Sequence, residues 1–341
     1  MRIVSKSLLN SRSISLLVLS LIPLAFLWAF LTTPSIELPS EESRILFYAR
    51  HCRHDLKSIL CKAIKKTQHS IFLSIYALTD LQVLQLLNQK ATEEHLPIKI
   101  HYDPSASRNL KNVLDPSISL LPHRQKGLMH RKILVLDESK VFLSSANLTK
   151  SSLKLHDNLL IGLFDPALAT FLIQNCHRQD QSFYPFTLQN QRAALWLLPD
   201  RKDEALEALI HIIAQAKKDI KIAMFTLTHP RLCSALIEAR KRGVEVELVI
   251  DYYTGRGASS KAIESLRAEG IAVFTSRGEE LLHHKWAWID RHTLIHGSAN
   301  WTTSAFQDNQ DYILIFNPLS PHQKKFMKRL WRGIAQNRRG I

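Results

Sequence analysis

A repeat within the chain limits its fold more than any other feature. The stretch Leu56–Lys66 has helical periodicity and leads into a strand-like run at residues 70–76, then Ala77, Leu78, Thr79 and Asp80. Further on, a helical stretch at residues 204–217 leads into a strand-like run at 220–225, then Thr226, Leu227, Thr228 and His229. A second helical pattern follows in each case, at Leu81–Thr92 and at residues 231–242. An apolar run then ends in an aspartate, Asp103 in the first copy and Asp251 in the second. Strands alternating with helices of this length predict an α/β fold with a largely parallel or mixed sheet, present twice. The reading places a first domain at residues 41–180, a second at 193–320 and a basic helix at 321–341. The polar stretch 175–192, with Pro185 inside it, is expected to be the connection.

Each copy closes on one constellation. In the first it is His130-x-Lys132-x4-Asp137, then Ser144, Ser145, Ala146 and Asn147, then Asp157. In the second it is His283-x-Lys285-x4-Asp290, then Gly297, Ser298, Ala299 and Asn300, then Asp311. A lone His-x-Lys-x4-Asp is a weak signal, whereas two copies trailed at one offset by the same tetrad are a strong one. On a strand, residues two apart share a face, so His130 and Lys132 point together, as do His283 and Lys285. The polar residues after Asp137 read as a turn. A strand from Val141 then runs back antiparallel and brings Ser145 and Asn147 level with His130, and Ser298 and Asn300 reach His283 in the same way. Asp137 and Asp290 belong to the motif, yet this geometry puts them at the far end of the hairpin, holding the turn.

Imidazole, ammonium and amide groups suit phosphodiester cleavage. A neutral imidazole attacks phosphorus, and a covalent intermediate splits one hard displacement into two easier ones. A second imidazole protonates the leaving oxygen and later activates water. Lysine and asparagine donate to the non-bridging oxygens as charge grows on them, and Asp157 and Asp311 are expected to hydrogen-bond the imidazoles and fix their tautomers. The chemistry calls for no metal and no cofactor. His123, His284, His292 and His296 lack the duplicated context and read as structural.

These motifs resemble the phospholipase D superfamily, whose signature is His-x-Lys-x4-Asp followed by Gly-Ser-x-Asn, and the resemblance spans residues 46–316. It implies two similar α/β sandwich lobes related by a pseudo-twofold axis, with one shared active site in a monomer. It also implies His130 as the nucleophile and His283 as the general acid. Lys132, Lys285, Asn147, Asn300, Ser145 and Ser298 would then contact the phosphate. Ser144 departs from the family's glycine, which the second copy keeps as Gly297, and Asp157 and Asp311 stand as shortened forms of a glutamate common in the family.

Substrate class is less constrained. The 45 Lys and Arg against 30 Asp and Glu give a net charge of +15, which suits anionic lipid and nucleic acid alike. The uncharged run at residues 14–31 follows Arg2, Lys6 and Arg12 and precedes Glu37, Glu41 and Glu42. It reads as an uncleaved membrane anchor with the remainder exported, or else as a cleaved signal sequence. An anchor favours phospholipid as substrate. An exported metal-independent nuclease of the same superfamily is the second reading, and a non-catalytic module binding anionic lipid or nucleic acid is the third. The C-terminal alternation of Lys324, Lys325, Lys328, Arg329 and Arg332 with Phe326, Leu330, Trp331 and Ile334 reads either as a helix resting on anionic lipid or as one packing its apolar side into the core. Cys52, Cys61, Cys176 and Cys233 read as buried small apolar residues, with a bridge between Cys52 and Cys61 as the alternative.

Overall fold

In each repeat a short apolar strand delivers the chain to a helix that starts just after residue 80 or 229. The Asp80 carboxylate accepts the backbone N–H groups of Gln82 and Val83 and so caps the helix Leu81–Thr92. That helix buries Val83, Leu84, Leu86 and Leu87 along one stripe. Its counterpart, Pro230–Lys241, starts instead with proline at the first turn and has no side-chain cap. A computed structural model describes residues 36–177, 181–200 and 202–340 of the chain.

Among the described residues there are two mixed sheets. The first comprises β1 (Ile45–Ala49), β2 (Ile71–Ile75), β3 (Ile98–Tyr102), β4 (Ser119–Pro122), β5 (Lys132–Leu136), β6 (Lys140–Ser144) and β7 (Leu159–Phe164). Its spatial order is β1-β7-β6-β5-β2-β3-β4, parallel across β2, β3 and β4 and antiparallel elsewhere. The second comprises β8 (Phe183–Leu188), β9 (Gln191–Leu197), β10 (Asp219–Met224), β11 (Glu245–Ile250), β12 (Ala272–Ser276), β13 (Lys285–Ile289), β14 (Thr293–Gly297), β15 (Tyr312–Asn317) and β16 (Arg338–Arg339). Its order β16-β12-β11-β10-β13-β14-β15-β9-β8 repeats the first sheet between β12 and β9 and adds an edge strand at each end. The duplicated α/β fold expected from the repeat is therefore present.

One apolar core joins the two sheets. Ile133, Val135, Val141 and Leu143 of the first pack in the same cluster as Trp286, Trp288, Leu294, Leu314 and Phe316 of the second. The helix Pro321–Gln336 adds Phe326, Met327, Leu330, Trp331 and Ile334 to that cluster. Its apolar side is thus buried in the protein, as the core-packing reading has it. The four cysteines are buried and unbridged.

Two expectations need correction. The stretch 175–192 is more than a connection, because β8 lies within it and pairs with β9 along its whole length. Pro185 is compatible with this since β8 is an edge strand, with one side free of ladder bonds. The expected membrane anchor at residues 14–31 gains no support: that run lies outside the described residues, and among the described residues no helix is long and apolar enough to cross a membrane.

The two motif hairpins turn as the spacing implies. β5 pairs with β6 from Leu136↔Lys140 to Ile133↔Leu143, and β13 pairs with β14 from Ile289↔Thr293. Asp137 and Glu138, like Asp290 and Arg291, take left-handed backbone conformations at the turn. The Asp137 carboxylate accepts N–H groups from Gln68, His69 and Ser70, and Asp290 accepts from Lys217, Lys218 and Asp219. Each aspartate thus ties its hairpin to the chain entering the neighbouring strand, far from the histidines. Replacing Asp137 with alanine is expected to remove about 1–3 kcal/mol of stability, read as a lower urea midpoint.

Burial disfavours the charged form of several histidines in the fold. Burial pushes His101, His284 and His296 from the ordinary 6.5 down to about 3. Between those limits the unfolded chain binds more protons than the folded one, so stability falls as pH drops below 6.5. Urea midpoints are expected to be lower at pH 5 than at pH 7 for this reason, and His296→Gln should flatten part of that slope.

Candidate active site

The two histidine segments are held by the opposite half of the molecule. His130 donates its backbone N–H to the Gln310 carbonyl (2.8 Å), and His283 donates to the Asp157 carbonyl (2.9 Å). Residues 129 and 310 form one parallel bridge, and residues 157 and 282 form the other. These reciprocal bridges relate the halves by a pseudo-twofold axis passing between the two histidines. From within each half, Asp103 accepts the N–H of Met129 and Asp251 accepts that of Leu282, one residue before each histidine. The two aspartates mark the ends of β3 and β11, where the sequence showed them without revealing this role.

Side-chain partners also cross the axis. His130 Nδ1 lies 2.8 Å from Asp311 Oδ1, so it is the protonated nitrogen and Nε2 is left for chemistry. His283 Nδ1 lies 3.1 Å from Asn158 Oδ1. The orientation of that amide is fixed by its own bonds: Nδ2 donates to the carbonyls of Ser152 and His156, and Oδ1 accepts from Ser145. His283 therefore also carries its proton on Nδ1 and presents Nε2. Tyr76 packs edge-on to the His130 ring at 5.2 Å, and Phe225 lies 4.9 Å from the ring of His283.

The lysines follow the same symmetry. Lys132 Nζ donates to the His130 carbonyl and sits 5.3 Å above the Tyr76 ring. Lys285 Nζ donates to the His283 carbonyl at 2.9 Å and sits 4.9 Å above Phe225. Burial pushes Lys132 down to about 7, against the pull of Asp311 and Asp103. Burial and the nearby Lys132 charge hold Lys285 well below its ordinary value. An anion between the two would favour both ammonium forms. Asn147 and Asn300 follow β6 and β14, and the buried amide oxygen of each has no hydrogen-bond partner among the described residues. His130, Lys132, Asn147, His283, Lys285 and Asn300 thus occupy matching places about one axis.

Other assignments shift. The Asp157 carboxylate does not meet the His283 ring; it accepts from Arg50 at 3.1 Å and contacts His51 at 3.0 Å. The counterpart of Asp311 is Asn158, one residue later. Ser145 and Ser298 do not face the site either. Their hydroxyls donate to Asn158 (2.8 Å) and Asp311 (2.6 Å) and accept the N–H groups of Leu159 and Tyr312, so both serines brace the orienting residues. Asp137 and Asp290 stay at their distant turns. Gly297 has a structural basis: a Cβ there would stand 2.2 Å from the Tyr312 carbonyl oxygen. At Ser144 the side chain is accommodated, and its Oγ accepts the Ala146 N–H.

Sequence reasoning did not identify Arg131, which is fully buried between the halves. It donates to the carbonyls of Asp311 (3.1 Å), Leu198 (2.9 Å) and Cys176. It thereby fixes the backbone of the residue that orients His130. A charged residue alternating with the motif pair, between His130 and Lys132, was its only trace in the sequence.

Residues 60–179 and 209–332 match the protein family described as "Cardiolipin synthase, PLD-like domain". Among curated proteins, the mitochondrial cardiolipin hydrolase of Xenopus laevis is 34% identical over 134 residues, covering 38% of this chain and 62% of that protein. The human protein of the same name is 35% identical over 115 residues, covering 33% of this chain and 44% of its own length. The chain thus spans less than two thirds of the curated relatives it matches. Among solved structures, phosphatidylserine synthase of Haemophilus influenzae superposes with a TM-score of 0.71 over 89% of both chains. Its 15% identity makes that a likeness of fold.

Proposed function

This chain belongs to the phospholipase D-like family, and from that premise we propose that it hydrolyses phospholipid at a phosphodiester bond through a phosphohistidine on His130. The observation that carries the reading is the pair of imidazoles, each held at Nδ1 by an acceptor from the opposite half, with Nε2 left free and a lysine beside it. In the first step the lone pair of His130 Nε2 forms the N–P bond as the P–O bond to the leaving group breaks. His283, which takes up a second proton at Nε2 when the anionic phosphodiester lies beside it, passes that proton to the departing oxygen. In the second step water gives a proton to His283 Nε2 and attacks phosphorus, and the N–P electron pair returns to His130. Lys132, Lys285, Asn147 and Asn300 hold the non-bridging oxygens in both steps. Asp311 stabilises the cation that His130 becomes when it carries the phosphoryl group.

The choice of phospholipid rests on the curated relatives, which are named as cardiolipin hydrolases. The net charge of +15 equally suits a nucleic-acid chain, so the test has two arms. Purified protein is incubated with cardiolipin or phosphatidylglycerol vesicles, and separately with single-stranded and duplex DNA and RNA. His130→Ala and His283→Ala are run beside it. Phosphatidic acid released by the parent protein and by neither variant supports the proposal. Cleavage of nucleic acid under the same conditions, with lipid untouched, replaces it with the nuclease reading.

A further inference from the structure

The pseudo-twofold axis relates almost every polar group at the site to one of the same kind, with a carboxylate facing an amide as the exception. Asp311 and Asn158 occupy equivalent places, since each lies eleven residues after the asparagine of its tetrad, Asn300 or Asn147. Both are buried, both accept a serine hydroxyl from the preceding strand end, and both accept a histidine Nδ1–H from across the axis. One is an anion and the other is neutral. We propose that Asn158 is a positioning residue that makes His283 the proton donor and leaves His130 as the nucleophile, because a neutral carbonyl orients an imidazole without holding its charge.

The physical argument has two sides. A carboxylate at Nδ1–H stabilises any state in which the ring is cationic, including the N-phosphorylated ring. That suits the histidine that must carry phosphorus. A general acid has the opposite need, because its Nε2 proton must leave during the same step in which the P–O bond breaks. The charged and titratable groups facing His283 are Lys285 at the start of β13, Lys132 at the start of β5, His130 just before it, and His156 from the segment before β7. All of them disfavour a further positive charge, and among the described residues no carboxylate hydrogen-bonds the ring. Burial and these neighbours hold His283 well below its ordinary value, whereas at His130 the Asp311 charge offsets part of the same burial. A carboxylate at position 158 would bind the His283 proton more tightly and weaken it as an acid.

The inference rests on the phosphohistidine reading, so the test includes a measurement that needs no substrate. Histidine Cε1–H resonances of the full chain are assigned with His130→Gln and His283→Gln and titrated by NMR. In the parent protein His283 is expected to titrate below His130. In Asn158→Asp its midpoint should rise by a unit or more, a tenfold change in proton affinity. In Asp311→Asn, which covers the case that Asn158→Asp does not fold, the His130 midpoint should fall by a similar amount. Midpoints that move by less than a few tenths of a unit in both variants would overturn the assignment, whatever the protein's substrate. A second readout follows the covalent step with a substrate found in the assays above. After acid-free quenching, peptide mass spectrometry should locate the phosphoryl adduct on His130 in the parent and on His283 in the double variant Asn158→Asp/Asp311→Asn. An adduct that remains on His130 while the midpoints exchange would also overturn it. Absence of any adduct or turnover in the parent, with the midpoints moving as expected, counts against the phosphohistidine reading alone.

Discussion

His130→Ala is expected to lower kcat/KM by about four orders of magnitude or more with every substrate, and His283→Ala to lower it by about 10²- to 10⁴-fold, only where the leaving group needs a proton. Removing a nucleophile eliminates the covalent route altogether, and comparable losses are about 10⁴- to 10⁶-fold. General acid catalysis contributes about 10²- to 10⁴-fold, and that contribution scales with the basicity of the departing oxygen. An alkoxide leaving from a glycerol headgroup depends on it strongly, whereas p-nitrophenolate departs without a proton. With a p-nitrophenyl phosphodiester, His283→Ala should therefore give a burst of p-nitrophenol followed by very slow turnover, since the same residue must activate water in the second step. His130→Ala should give no burst. A burst in His130→Ala and none in His283→Ala would exchange the two roles.

Arg131→Met is expected to be the most destabilising single change near the site, at about 3–5 kcal/mol. Three backbone carbonyls accept from this guanidinium, those of Asp311, Leu198 and Cys176, and methionine removes a donor from each, with the Asp311 carbonyl keeping only the Leu198 N–H. The volume is nearly preserved, so the loss reports polar satisfaction more than a cavity. A lower urea midpoint at unchanged slope is the expected signature. Because the Asp311 backbone is one of the three acceptors, the surviving folded protein should also lose activity. Unchanged stability would mean that water replaces the guanidinium between the halves.

Much of this site was legible in the sequence because the repeat supplied its own control. The duplicated His-x-Lys motif placed each lysine at the start of a strand with its histidine two residues ahead, and the odd offset to Asp137 and Asp290 put those carboxylates at the turns, where they do bind backbone N–H groups. What failed was a count. Asp157 was matched to Asp311 by residue type, although it lies ten residues after Asn147 and Asp311 lies eleven after Asn300. Equal offsets point to Asn158, and on a strand a shift of one residue turns a side chain to the opposite face. The serines were misjudged for a related reason, since spacing puts a hydroxyl near a site without saying which acceptor it chooses. β8 was missed because its exposed edge lacks the clean apolar alternation of a buried strand and contains a proline. Arg131 was illegible because its three acceptors are carbonyls, which every sequence has everywhere.

The asymmetry between Asp311 and Asn158 also says something about inheritance. Were the same site assembled from two identical chains about a true twofold, every substitution would appear in both halves at once, and the two imidazoles could not acquire different partners. Joining the halves in one polypeptide breaks that constraint. Each copy of the motif then mutates independently, and a carboxylate can persist on one side of the axis while an amide takes its place on the other.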